Sequence, residues 1–127
     1  MAKKHILIVD DVTTNLRFIG ELLKEEYSLS MARSGDQALK MLKKIDVDLI
    51  LLDVKMPKMD GIDVMEQLSK DKDLGKIPVI FLSADGQEET QDKVYELGAA
   101  DFIKKPFEPV DLLARIKKAL SVAGEDK

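Results

Sequence analysis

The sequence predicts an α/β fold: an open, doubly wound sheet of five parallel strands with helices on both faces. Three observations lead there. Five short apolar runs, residues 6–9, 27–31, 49–52, 79–82 and 99–103, alternate with five helical patterns, residues 14–25, 36–43, 62–69, 88–97 and 110–122. Strand–helix alternation implies parallel strands joined by right-handed crossovers, with helices covering the sheet. Runs one, three and four lack polar alternation, as strands buried on both faces do. Five units are too few for the eight-unit barrel, so the sheet stays open.

Run one, Ile6-Leu7-Ile8-Val9, is uniformly apolar and ends in Asp10-Asp11. His5, the single histidine, precedes it and is expected at the surface. In the first helical segment Val12, Leu16, Phe18, Ile19, Leu22 and Leu23 form one apolar stripe. Leu16 and Phe18 mark its opposite edges; core packing is expected of both, with docking of a partner at one edge as the alternative. Asn15 interrupts the stripe one turn past Asp11, so it is expected at the rim of the acidic group. Gly20 reads as a small packing residue.

Run two, Tyr27-Ser28-Leu29-Ser30-Met31, alternates and suits a sheet edge; Gly35 then opens the second helix. Run three, Leu49-Ile50-Leu51-Leu52, ends in a carboxylate, Asp53, and the chain breaks at Met56-Pro57. Asp60-Gly61 precedes the third helix. Residues 74–78 lead into run four, which ends in Ser83. Gly98 closes the fourth helix as a C-terminal cap. Run five ends in Lys104-Lys105-Pro106.

Composition fits one domain over residues 1–127, with a core over about 4–121. Residues 122–127 read as a frayed tail or the start of a linker. With 45% hydrophobic residues the chain can fill one core. A net charge of -4 argues against a nucleic-acid or anionic-membrane surface. There is no cysteine, hence no disulfide framework or thiolate chemistry. The first apolar run is too short for a signal peptide or membrane span, so a cytoplasmic location is expected. The six methionines lack metal-binding spacing and read as packing residues.

Sites in open parallel sheets form outside the carboxyl ends of the strands. Those exits carry Asp10-Asp11, Asp53, Ser83 and Lys105, whereas strand two offers only Ala32-Arg33. If strands one and three are neighbours, their exits lie roughly 5 Å apart. Three carboxylates that close repel one another unless a cation joins them. Hard oxygen donors without His or Cys favour Mg²⁺. A metal, an ammonium and a hydroxyl suit phosphoryl chemistry, with a carboxylate as nucleophile.

Val9-Asp10-Asp11, the LLDVKMPKMDG stretch from Leu51, Phe81-Leu82-Ser83-Ala84 and Lys105-Pro106-Phe107 together resemble the receiver domains of two-component response regulators. The resemblance spans about residues 4–121 and implies a flavodoxin-like (βα)5 sheet of strand order 2-1-3-4-5. It implies that Asp53 accepts a phosphoryl group from a phosphohistidine on a sensor histidine kinase or phosphotransfer protein. Asp10, Asp11 and Asp53 would hold Mg²⁺ with the backbone carbonyl of Lys55. Ser83 matches the switch hydroxyl, where many relatives have Thr. Lys105, directly before Pro106, matches the phosphate-sensing lysine better than Lys104 does, and the family usually holds that Lys-Pro bond cis. Phe102, where many relatives have Tyr, is either the switch aromatic or a plain core ring. Lys55 and Asp85 match positions that flank the phosphoryl group and set its lifetime. A downstream protein or output domain is the implied partner, and a homodimer through helix four, strand five and helix five is a further one.

A Mg²⁺-dependent phosphohydrolase with an aspartyl-phosphate intermediate is the alternative. It needs a general base, and no spare His stands at the strand exits. A flavin-binding protein is disfavoured because Asp10-Asp11 in the first loop would repel phosphate. A phosphorylation-independent scaffold is disfavoured because every acceptor position is filled. The expected role is therefore signalling, with self-catalysed phosphorylation and dephosphorylation only.

Overall fold

The computed structural model describes residues 3–84 and 87–125. Along the chain it forms β1 (His5–Val9), α1 (Thr13–Leu23), β2 (Ser28–Ala32), α2 (Gly35–Leu42), β3 (Leu49–Asp53), α3 (Gly61–Ser69), β4 (Val79–Ser83), α4 (Glu88–Glu96), β5 (Asp101–Lys104) and α5 (Pro109–Glu125). A single 3-10 turn, Leu74–Lys76, precedes β4. All strand pairs are parallel, in the order β2-β1-β3-β4-β5. This is the doubly wound sheet expected from the alternation of runs.

The two-residue period of each strand sorts its side chains onto two faces. Leu7, Val9, Ile50, Leu52 and Phe81 join Ala38, Leu42, Val64, Met65, Leu68 and Val94 beneath α2, α3 and α4. Ile6, Ile8, Leu49, Leu51, Ile80 and Leu82 join Leu16, Ile19, Leu23, Leu112 and Ile116 beneath α1 and α5. Leu49 through Leu52 are each at most 1% exposed, which explains a run without polar alternation. Burying each such side chain contributes about 1.5–3 kcal/mol.

Local signals fix the element ends. Ser34 caps α2 by accepting from the Gln37 N–H at 3.1 Å. Asp60 and Asp63 form a reciprocal capping box at the start of α3. Gly98, at φ 102°, ends α4. Its N–H donates to Tyr95 O at 3.0 Å, and the Ala99 N–H donates to Val94 O at 3.0 Å, the pair of bonds of a Schellman cap. That cap uses Ala99, so β5 begins at Asp101, two residues later than the apolar run. β2 is likewise one residue later than run two, and the Tyr27 side chain packs under α1 and α5 instead. α5 runs on to Glu125, into the stretch read as a frayed tail or linker.

Two expectations are corrected here. Phe18 does not pack in the core; it is 53% exposed. The buried face of α1 is Leu16, Ile19, Gly20 and Leu23. At 100° per residue, Phe18 points about 150° away from the middle of that face. His5 is half-buried and bonded, not simply a surface residue. Its Nε2 lies 2.7 Å from Ser30 Oγ, and its N–H donates to Asp48 Oδ2 at 2.8 Å. The register His5↔Ser28 makes Ser30 its diagonal neighbour on one sheet face. Gly20 is the close-packed position expected, since a Cβ there would stand 2.6 Å from Met31 Cε.

Candidate functional site

The register of the sheet brings the strand exits together. Val9 pairs with Leu52, so Asp10 emerges beside Asp53. Ser83 pairs with Lys104, and the Lys105 N–H donates to Ser83 O at 2.8 Å. One carboxylate oxygen each from Asp10, Asp11 and Asp53 lie within 4.8 Å of one another. Lys105 reaches in from the β5 exit, its peptide bond to Pro106 cis. Its Nζ stands 3.1 Å from Asp10 Oδ2 and 3.8 Å from Asp53 Oδ2. The ammonium thus favours Asp10 over Asp53. Lys104 is exposed.

Asp10 is the most enclosed of the acids, at 2% exposure. Its Oδ1 accepts from the Val12 N–H at 2.9 Å, and its Oδ2 accepts from Asn15 Nδ2 at 3.1 Å. Asn15 is therefore at the rim of the acidic group, as its place in the α1 stripe suggested. Asp53 is less enclosed, at 12% side-chain exposure. Burial raises its pKa from 3.8 to about 6; Lys105 opposes the shift, the charges of Asp10 and Asp11 reinforce it, and a hydrogen bond from the Lys55 backbone opposes it. An uncompensated carboxylate here carries an electrostatic cost that a cation would remove.

The loop after β3 turns back sharply to seat α3. The Gly61 N–H donates to Val54 O at 2.7 Å, and the Met59 N–H donates to Pro57 O at 2.8 Å. Lys58 takes up the turn with φ 66°. A Cβ on Gly61 would collide with the Asp53 carbonyl oxygen, so only glycine lets the loop pack there. The Asp-Gly pair had signalled a helix start; its contact with the Asp53 backbone has no sequence-local signature.

Of the remaining site residues, Ser83 is 1% exposed at the end of β4. Phe102 is 6% exposed and packs in the core beneath α2, α3 and α4, opposite Phe81 in the register. The inward ring fits both readings of Phe102, as core residue and as switch. Asp85, expected with Lys55 to flank the phosphoryl group, lies outside the described residues. Beside Lys105 an open groove of about 430 Å³ is lined by Asn15, Phe18, Ile19, Lys105, Pro106 and Phe107. The Phe18 and Phe107 rings meet there at a centroid distance of 6.0 Å, tilted by 41°. Sequence reading missed this pair because it assigned Phe18 to the core.

A family model described as the response regulator receiver domain matches residues 6–117. The chain is 46% identical over 120 residues to a probable transcriptional regulator, ycf27, of Cyanidium caldarium, covering 91% of this chain and 46% of that protein. It is 37% identical over 121 residues to the transcriptional regulatory protein ResD of Bacillus subtilis, covering 94% and 49%. It is 40% identical over 111 residues to a probable cyclic di-GMP phosphodiesterase of Vibrio cholerae, covering 87% and 25%. The chain thus spans under half the length of these relatives. Among solved structures, a receiver domain of a histidine kinase from Syntrophus aciditrophicus is 37% identical with a TM-score of 0.86, covering 93% of this chain and 90% of that one. A CheY-like receiver domain protein from Methanospirillum hungatei is 29% identical with a TM-score of 0.93, covering 99% and 100%.

Proposed function

The chain belongs to the response regulator receiver domain family, and on that premise we propose that Asp53 accepts the phosphoryl group from a phosphohistidine donor. The observation that carries this assignment is the convergence of three carboxylates at one sheet edge, with Lys105 reaching two of them and Asp53 the less enclosed of those two.

In the transfer, a carboxylate oxygen of Asp53 attacks phosphorus as the P–N bond to the donor imidazole breaks, and the nitrogen leaves with the bonding pair. Lys105 follows the charge that gathers on the phosphoryl oxygens. The Lys55 N–H orients the Asp53 carboxylate. Ser83, just beyond the end of the β3–β4 register, can move its hydroxyl toward a phosphoryl oxygen, and Phe102 follows sterically because Phe has no hydroxyl.

The donor set fits Mg²⁺. It is all hard oxygen, and three carboxylates against one ammonium leave two negative charges uncompensated. Asp10, Asp11 and Asp53, with the Lys55 carbonyl, would hold the ion, which when bound neutralises phosphoryl oxygens. Lys55, with Asp85, would control water's access to the acyl phosphate.

The donor is a sensor histidine kinase or phosphotransfer protein, and it would meet the Phe18–Phe107 groove beside Lys105. The signal passes to a downstream protein or output domain in the cytoplasm. No helix among the described residues is long and apolar enough to cross a membrane. The phosphohydrolase reading is not favoured, because the single histidine, His5, sits at the opposite end of β1, bonded to Ser30.

The test is incubation with acetyl phosphate and Mg²⁺, followed by intact mass measurement. One added phosphoryl group is expected, and none in Asp53→Ala. A phosphoryl group retained in Asp53→Ala would overturn the assignment.

A further inference from the structure

Lys105 lies 3.1 Å from Asp10 and 3.8 Å from Asp53, so in this state its stronger partner is not the phosphoryl acceptor. To serve a phosphoryl group on Asp53 the ammonium must loosen its hold on Asp10. Removing the counterion of a carboxylate that is 2% exposed is costly unless other donors remain. Two do remain. The Val12 N–H stays on Oδ1 at 2.9 Å, and the Asn15 amide stays on Oδ2 at 3.1 Å. The Asn15 amide and the Lys105 ammonium share that one oxygen. Two donors on one carboxylate oxygen draw on the same negative charge, so each weakens the other's hold on it. Asn15 is also anchored: it sits in the first turn of α1, and its own N–H bonds Val12 O at 3.1 Å.

We propose that Asn15 is a positioning residue that sets how tightly Asp10 holds Lys105, and so how readily the ammonium reaches a phosphoryl group on Asp53. The inference rests on the assignment of Asp53 as acceptor. The neutral amide does two things a carboxylate or an apolar side chain at position 15 cannot. It competes with Lys105 while the ammonium is on Asp10, and it keeps Asp10 hydrogen-bonded once the ammonium has left. An apolar replacement leaves Lys105 as the sole donor on Oδ2. A carboxylate replacement adds a second negative charge beside it. Both tighten the hold.

The experiment is a titration with beryllofluoride, a phosphoryl mimic, at saturating Mg²⁺. The amide resonances of Ser83 and Phe102 report occupancy. Asn15→Leu is expected to raise the half-saturating concentration about tenfold, as loss of one charge-assisted hydrogen bond would. Asn15→Asp, close to isosteric, is expected to raise it at least as much and covers the case in which the leucine variant fails to fold. Both substitutions are then repeated in a Lys105→Met background. There each is expected to change the half-saturation less than twofold, because nothing is left for Asp10 to hold back. Equal fold-changes in the two backgrounds, or no change in the Lys105 background of the native chain, would overturn the inference. Failure of the acceptor assignment looks different: the otherwise native chain would then show no beryllofluoride response at Ser83 at all.

Discussion

At Asp53 the same burial that shelters the proposed acceptor also penalises its charge. Its pKa, raised from 3.8 to about 6, means that the folded protein binds this proton more tightly than the unfolded chain does. The contribution to stability is therefore fully present below pH 3.8 and is lost as pH rises through about 6. Above that pH the ionised group is a net burden, on the order of 1–3 kcal/mol. In the presence of a chelator, Asp53→Asn is expected to unfold at higher urea than the native chain at pH 7.5, with the gap closing by pH 4. A gap that persists at pH 4 would assign the gain to packing instead of charge. Asp11, the least tied of the three acids by hydrogen bonds to the protein, should matter most for the cation. Asp11→Ala is expected to weaken Mg²⁺ binding at least tenfold, or about 1.4 kcal/mol, and an unchanged titration would remove it from the metal site.

Between the residues and the fold stand the elements that aim them, and here the turn after β3 is the tightest constraint. A methyl group at position 61 meets the Asp53 carbonyl, so Gly61→Ala must push β3's exit or α3's start aside. Overpacking of this kind costs about 1–3 kcal/mol. Slower phosphorylation by acetyl phosphate is expected along with that loss in urea unfolding. On α1, Phe18→Ser should slow transfer from a phosphohistidine protein while leaving acetyl phosphate labelling unchanged, because the ring lies in the groove and not on the acids. Equal slowing of both would place Phe18 in the chemistry. The strands were legible in the sequence because burial on both faces leaves runs such as Leu49-Ile50-Leu51-Leu52 without polar alternation. The acids, Ser83 and Lys105 were legible because neighbouring parallel strands deliver their exits to one edge. What was not legible depends on distances between elements. The preference of Lys105 for Asp10, the diagonal bond of His5 to Ser30 and the pressure of Gly61 on β3 are set by register and loop closure. Phe18 was misplaced because a stripe drawn through all apolar residues of α1 is wider than the face that the sheet can cover.

Across the whole molecule, the acid cluster and the α4–β5–α5 face are joined by two strands. Ser83 at the end of β4 pairs with Lys104 of β5, and Phe102 lies two residues back along the same strand. Just outside, Asp101 accepts from Arg115 Nη1 at 2.9 Å and from the Tyr95 hydroxyl at 3.4 Å, while Arg115 also pairs with Asp111 at 3.1 Å. Arg115 further donates to Phe102 O at 3.4 Å, so this surface network touches the backbone of the strand that carries the inward ring. A shift of Ser83 toward a phosphoryl group would thus be felt by Tyr95, Asp101 and Arg115 through β5. Exposed ion pairs of this kind contribute only about 0–1 kcal/mol each, so they can exchange partners at little cost. Tyr95 is 46% exposed, and an exposed tyrosine ring is the kind of anchor that carries binding energy. The expected consequence is that two copies of the chain associate through this face when Asp53 carries beryllofluoride and Mg²⁺. Sedimentation velocity across a concentration series should show the mimic-dependent dimer in the native chain. Tyr95→Ala and Lys104→Ala should each weaken it about tenfold without altering labelling of Asp53 by acetyl phosphate. Dimerisation that is untouched by both substitutions, or that does not depend on the mimic, would mean that the state of Asp53 is not read out at this face.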